Sequence, residues 1–209
     1  SRGLGDVYKR QKLSWAEGAS IPEVYATCWL NLFIEAHMKE GDKIVFHAGA
    51  SGIGTAGIQL AQAFGCNSFV SAGTQEKIDF CLNLGASAGE IRSKDIFSKI
   101  KEWSPNGVDI ILDPVGAEYF EKNLSVLGLE GKLIIIGLMG GAKANINLGH
   151  LMIKRHKVIG STIRTRNLET KTKVMDDLSN KVMPLFNSGT LKPIIYKVLS
   201  FDCLLYTSP

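Results

Sequence analysis

Gly49, Gly52 and Gly54 stand where chemistry would be done by the backbone. Lacking a Cβ, they let the chain turn tightly and let a phosphate reach amide N–H groups. A helix beginning near Gly52 would point its unpaired N–H groups and the positive end of its dipole at that phosphate. The spacing is Gly-x-x-Gly-x-Gly, not the commoner Gly-x-Gly-x-x-Gly, and a glycine triplet alone reads equally as an ordinary turn. The context decides. Apolar Ile44, Val45 and Phe46 precede it as a strand, and Ile53, Ile58, Leu60, Ala61 and Phe64 follow at helical spacing. Ser68 to Ala72 then supplies a second strand at the distance a βαβ unit needs, so the expected ligand is a dinucleotide.

An acid at the end of the second strand would hold the ribose 2′-hydroxyl of NAD(H). Here that end reads Ser71-Ala-Gly-Thr-Gln-Glu-Lys77. Gly73 and Thr74 leave room for a 2′-phosphate and Lys77 supplies positive charge, which favours NADP(H). Lys77 also reads as a solvated helix residue, and another turn geometry would bring Glu76 to the ribose. Gly137 to Gly141 follows the fifth expected strand, where a loop either faces the nicotinamide or is plain punctuation. Asp113, in Asp-Pro-Val-Gly116, suits a turn or cap better than catalysis. His47, at the end of the first strand, could lie near the cofactor but reads better as a satisfied structural histidine, and none of the four histidines has metal spacing.

The elements that must position these residues alternate. Two helical pieces divided near Ile21-Pro22 lead in, with Pro22 in the first turn of the second and Val24, Trp29, Leu32 and Phe33 on its buried face. After the second strand come a helix from about Gln75 to Leu84, a weak strand Ala88 to Ile91 and a helix Lys94 to Trp103. Strand Val108 to Asp113, helix Ala117 to Leu127, and strands Lys132 to Gly137 and Val158 to Ile163 follow. Leu168 to Ser188 is amphipathic and stops at Gly189, and Ile194 to Leu199 is a further candidate strand. This pattern predicts an α/β fold: a Rossmann-type, doubly wound parallel sheet of about six strands with helices on both faces.

The 209 residues suffice for one such domain, or for one domain and part of another; 45% are hydrophobic and 21% charged, an ordinary globular composition. A net charge of +4 with scattered basic residues does not indicate nucleic acid. No apolar run is long enough for a membrane span and no signal peptide is evident, so a cytoplasmic location is expected. Cys28, Cys66, Cys81 and Cys203 are far apart, which suggests neither a disulfide framework nor a local zinc site.

His47-Ala-Gly-Ala-Ser-Gly-Ile-Gly54 with Ile58-Gln-Leu-Ala61, Ala72 to Lys77, Leu84-Gly-Ala86, Gly107 to Asp113 and Gly131 to Gly141 together resemble the zinc-independent quinone oxidoreductases, the zeta-crystallin-like branch of the medium-chain dehydrogenases/reductases. The likeness runs from about Leu13 to Asp202. It implies hydride transfer from NADPH to a quinone or activated alkene. Pyrophosphate contacts fall on Ser51, Gly52, Ile53 and Gly54, and 2′-phosphate contacts on Gly73 and Lys77. Arg92 stands where a tyrosine or histidine often helps hold that phosphate. Nicotinamide-side backbone falls on Gly137, Leu138 and Met139, and a further loop contact on Ser161 and Thr162. A cysteine that ligates metal in zinc-dependent relatives has no counterpart near residues 21–26, so no metal site is expected.

The resemblance also implies a GroES-like catalytic domain before this chain and a return to it at the end, so catalytic and substrate residues are expected outside it. The expected division is a non-native junction at 1–11, an NADP(H)-binding domain at 12–165, a helix and strand returning toward the other domain at 166–202, and a second junction at 203–209. A homodimer or homotetramer is expected, with a strand edge in Lys132 to Ile163 pairing across the interface. Two other readings fit the same residues: an enoyl reductase domain, and a non-catalytic NADPH-binding module.

Overall fold

The computed structural model describes residues 13–93 and 95–200. The junctions expected at 1–11 and 203–209, Cys203, and the helix start expected at Lys94 lie outside them. Ser14 opens the chain's first helix, α1 (Trp15–Ser20), through a reciprocal capping box with Glu17. Pro22 occupies the first turn of α2 (Pro22–Trp29), as its fixed φ and missing N–H favour. The helix then widens over Leu30–Glu35, where the Ala36 N–H reaches back to Asn31 O.

Six strands follow: β1 (Lys43–Phe46), β2 (Asn67–Ala72), β3 (Ala88–Ile91), β4 (Val108–Asp113), β5 (Leu127–Ile135) and β6 (Lys157–Gly160). They form one sheet in the order β3-β2-β1-β4-β5-β6, and every pairing is parallel. The crossovers are α3 (Gly52–Ala63), α4 (Gln75–Asn83), α5 (Ile96–Trp103), α6 (Ala117–Val126) and α7 (Leu148–Lys154). The order reverses between β1 and β4, and a crevice opens beyond their carboxyl ends at such a reversal.

Period-two alternation divides the strand side chains between two cores. Ile44, Phe46, Ile110, Leu112 and Ile134 point to the face covered by α2, α3 and the helices after β6, with Trp29, Ile58, Leu60 and Leu178. Val45, Ile111 and Leu133 point to the face covered by α5 and α6, with Phe97, Ile100, Tyr119 and Leu124. The doubly wound fold expected from the alternation is the fold observed.

Beyond β6 the expected long helix is divided into α8 (Leu168–Asp177), a widened turn at Leu178–Val182 and α9 (Met183–Ser188), closed by Gly189 at φ 79°. Three expected boundaries need correcting. β5 begins earlier, at Leu127, and ends at Ile135, where the Ile136 N–H to Asp113 O bond is the last rung of the β4–β5 ladder. β6 stops at Gly160. Ile194 to Leu199 is not a strand. The buried Gln59 amide takes the place of a strand neighbour there, accepting from Lys192 N–H at 2.8 Å and donating to Lys192 O at 3.0 Å. Past that anchor Tyr196 and Val198 stand exposed.

Candidate cofactor cleft

The turn after β1 is built from backbone packed on backbone. Ala48 adopts φ 58°, and Gly49 N–H donates to Ser71 O at 2.9 Å. A Cβ on Gly54 would lie 2.3 Å from Gly49 O, and one on Gly49 would lie 2.6 Å from Val70 Cβ. These two glycines therefore close the turn, while exposed Gly52 leaves the approach open. Gly57 was not singled out in the sequence. A Cβ there would fall 2.4 Å from the Phe46 ring, so it seats α3 on β1.

Ser51 caps α3, its Oγ accepting from Gly54 N–H at 3.1 Å, and its carbonyl takes Thr55 N–H. Of the first-turn N–H groups, which have no intrahelical acceptor, Gly52 and Ile53 keep theirs without a partner among the described residues. Ser51 and its cap thus leave two amides and the helix dipole aimed out of the turn.

A cavity of about 280 Å³ opens at the carboxyl ends of β1, β2 and β4. It brings together Ser51, Gly73, Lys77, Arg92 and Met139 of the expected contacts. Gly73 faces open space, with nothing within 4 Å of an added Cβ. Thr74 caps α4 by accepting Lys77 N–H, which sets the lysine on the first turn beside the cavity. Glu76 is exposed and is not part of the wall. Gly137 and Leu138 belong to the loop that brings Met139 to it. Ser161 and Thr162 follow β6 and do not line this cavity. Ser161 Oγ is buried without a partner and its N–H donates to Ile135 O, so this side chain is turned into the fold.

A buried polar chain that links three strand ends reaches the cavity at His47 and Ser71, which are part of its lining. His47 Nε2 lies 2.8 Å from Asn123 Oδ1 and Nδ1 lies 3.2 Å from Ser71 Oγ. Asn123 Nδ2 donates to Asp113 Oδ2 at 3.1 Å, and the Asp113 carboxylate also accepts from Val115 N–H at 2.7 Å and Gly116 N–H at 3.1 Å. The carboxylate requires donors, which turns the Asn123 amide nitrogen toward it and the oxygen toward His47. His47 then carries its proton on Nε2 and accepts from Ser71 at Nδ1. Burial lowers the His47 pKa to about 4, against the opposing pull of Asn123. Burial raises that of Asp113, against its three donors. Asp113 has the turn-closing role its position suggested, whereas His47 is both hydrogen-bonded within the fold and part of the cavity lining. Asn123 and Ser71 were not anticipated, because nothing local in sequence marks a buried polar partner from another element.

The loop Gly137 to Gly141 lies along the turn after β4. Met139 N–H donates to Pro114 O and Gly140 N–H to Val115 O, while Ala117 and Glu118 donate back to Gly141 O and Gly140 O. Gly116, at φ 83°, permits the contact, since a Cβ there would sit 2.8 Å from Gly141 O.

Among the described residues no group of three or more His, Cys, Asp or Glu could hold a metal ion, and Cys28, Cys66 and Cys81 are each buried and free. The described chain thus offers no zinc donor set, and no helix in it is long and apolar enough to cross a membrane.

Residues 52–180 match the zinc-binding dehydrogenase family. The quinone oxidoreductase of Pongo abelii is 30% identical over 192 residues, covering 90% of this chain and 56% of that protein. The chain thus spans about half the length of this curated relative. Polyketide synthase 37 of Dictyostelium discoideum is 26% identical over 190 residues, 88% of this chain and 6% of that protein. The JamJ enoyl reductase, solved in its apo form, superposes with a TM-score of 0.77 at 26% identity, over 93% of this chain and 58% of that one.

Proposed function

Since the chain belongs to the zinc-binding dehydrogenase family, we propose that its cleft is the NADP(H) half of an oxidoreductase acting on a quinone or activated alkene. One observation carries this reading: the helix cap Ser51, an open Gly73, and the cations Lys77 and Arg92 meet in one cleft where the sheet order reverses. The amides of Gly52 and Ile53 suit a pyrophosphate, and Lys77 and Arg92 suit a 2′-phosphate that an acid at Gly73 would repel. NADP(H), once bound, supplies the hydride. The protein's part is to orient: α3 holds the pyrophosphate, Ser51 fixes the first turn of α3, and the loop at Met139 walls the site against water. A small-molecule acceptor suits this arrangement.

An enoyl reductase activity is the second reading, favoured by the polyketide synthase and JamJ likenesses. The expected homodimer or homotetramer is supported by the free edge of β6 and the exposed Leu148, Met152, Ile153 and Val158 beside it.

Calorimetric titration tests the cofactor. NADPH should bind more tightly than NADH, and Lys77→Ala should weaken NADPH about tenfold, roughly 1.4 kcal/mol, while NADH changes by less than about twofold. Equal affinities for the two nucleotides in the parent chain would defeat the assignment.

A further inference from the structure

The loop expected to face the nicotinamide has little structure of its own. Between Gly137 and Gly141 a single internal bond, Gly141 N–H to Leu138 O at 3.0 Å, closes a turn. Everything else that places it comes from the turn after β4. Ile136 N–H donates to Asp113 O at 2.9 Å, Met139 N–H to Pro114 O at 3.2 Å and Gly140 N–H to Val115 O at 2.7 Å. In return Ala117 N–H reaches Gly141 O at 3.0 Å and Glu118 N–H reaches Gly140 O at 3.2 Å. The two backbones are in contact, since a Cβ on Gly137 would lie 2.7 Å from Pro114 O.

The β4 turn is in turn held by one side chain. Asp113 is fully buried, and its carboxylate gathers the N–H groups of Val115 and Gly116, two residues whose carbonyl or backbone meets the loop. Charge-assisted hydrogen bonds of this kind are short and about twice as strong as neutral ones. Asn123 donates to the same carboxylate and is itself fixed by His47, which holds the carboxylate against the turn.

We infer that Asp113 is a positioning residue: through the Asp113 to Gly116 turn it clamps the Gly137 to Gly141 loop, and so sets the seat of the nicotinamide half of the cofactor. The assignment rests on the NADP(H) reading for its functional consequence, but the clamp itself is a property of the chain alone. Asp113→Asn keeps the volume but replaces one acceptor oxygen with an NH₂ facing an N–H donor. Gly116→Ala leaves the carboxylate in place and pushes a Cβ into the loop.

Amide hydrogen exchange on the whole chain, read by NMR, examines the clamp without cofactor. In Asp113→Asn the Met139 and Gly140 amides should lose protection by about tenfold or more, while the amides paired between β1 and β2 keep theirs. Titration examines the consequence: both variants should bind NADPH about tenfold more weakly, with adenosine 2′,5′-bisphosphate changed by less than about twofold. A structural lesion alone would lower both ligands together, and that result overturns the assignment, as does unchanged protection at Met139 and Gly140. Should Asp113→Asn fail to fold, Gly116→Ala decides, and an unaltered ratio of NADPH to bisphosphate affinity there is the overturning result. A parent chain that binds neither ligand would instead remove the cofactor reading, leaving the exchange measurement to decide the clamp.

Discussion

Gly54→Ala is expected to destabilise the chain by about 3 kcal/mol, the upper end of what forcing extra carbon into a packed site costs. On helix propensity alone the sign would be opposite, because alanine in place of glycine inside a helix stabilises by about 1 kcal/mol. The clash decides. The new Cβ would lie 2.3 Å from Gly49 O and 2.6 Å from Gly49 Cα and C, all backbone atoms that cannot rotate aside. Either α3 shifts along its axis or the β1 turn opens, and both moves carry the Gly52 and Ile53 amides away from where a pyrophosphate would sit. Gly73→Ala is the control, since its Cβ meets nothing within 4 Å and should leave stability within about 0.5 kcal/mol of the parent. Urea denaturation of the three chains provides the comparison. A Gly54→Ala midpoint as close to the parent as that of Gly73→Ala would show that the turn yields more easily than its packing implies.

The contrast between these two glycines marks where sequence reading reaches its limit. Both read as room for phosphate, yet of the two only Gly73 leaves open space. Gly54 and Gly49 are consumed in holding each other, and Gly57, whose Cβ would strike Phe46, has the packing role. A glycine's neighbour is set by tertiary contact, so spacing alone cannot sort these roles. The strands β1, β2 and β4 were legible because they are short apolar runs bounded by turn residues, and their alternation with helices determined the fold class. The widening at Leu30–Glu35 was not legible, since the same apolar periodicity serves an ordinary helix turn. Ile194 to Leu199 has the composition of a strand, but the buried amide of Gln59 holds Lys192 where a neighbouring strand would be required. Of the candidate site, Ser51, Gly73, Lys77, Arg92 and Met139 converge on one cleft, whereas Gly52, Ile53 and Gly54 are not in its lining and Ser161 points its hydroxyl inward. The polar chain from Ser71 through His47 and Asn123 to Asp113 joins residues up to 76 apart in a single contact, a distance no local pattern spans.

That chain makes the fold sensitive to acid, and His47 is where the effect should be largest. Its pKa falls from 6.5 to about 4 on folding because the ring is buried. Between those values the unfolded chain binds a proton that the folded chain refuses. The stabilisation is therefore complete above pH 6.5 and declines as the pH falls toward 4, the loss reaching on the order of 3 kcal/mol at the bottom of that window. His156, also lowered by burial, adds a change of the same sign. Asp113 opposes it, since a carboxyl raised by burial favours the folded state as it takes up a proton above 3.8. His47→Leu separates these contributions. It removes the titration and leaves Asn123 Oδ1 without its donor, which should cost about 1–3 kcal/mol at pH 7.5. At pH 4.5 the parent has lost much of what His47 contributed, whereas the variant has not, so the two unfolding curves should draw together or cross. Denaturant unfolding of both chains at pH 7.5 and pH 4.5 measures this directly. A constant gap between parent and variant at the two pH values would mean that His47 takes up its proton as readily in the folded chain as in the unfolded one.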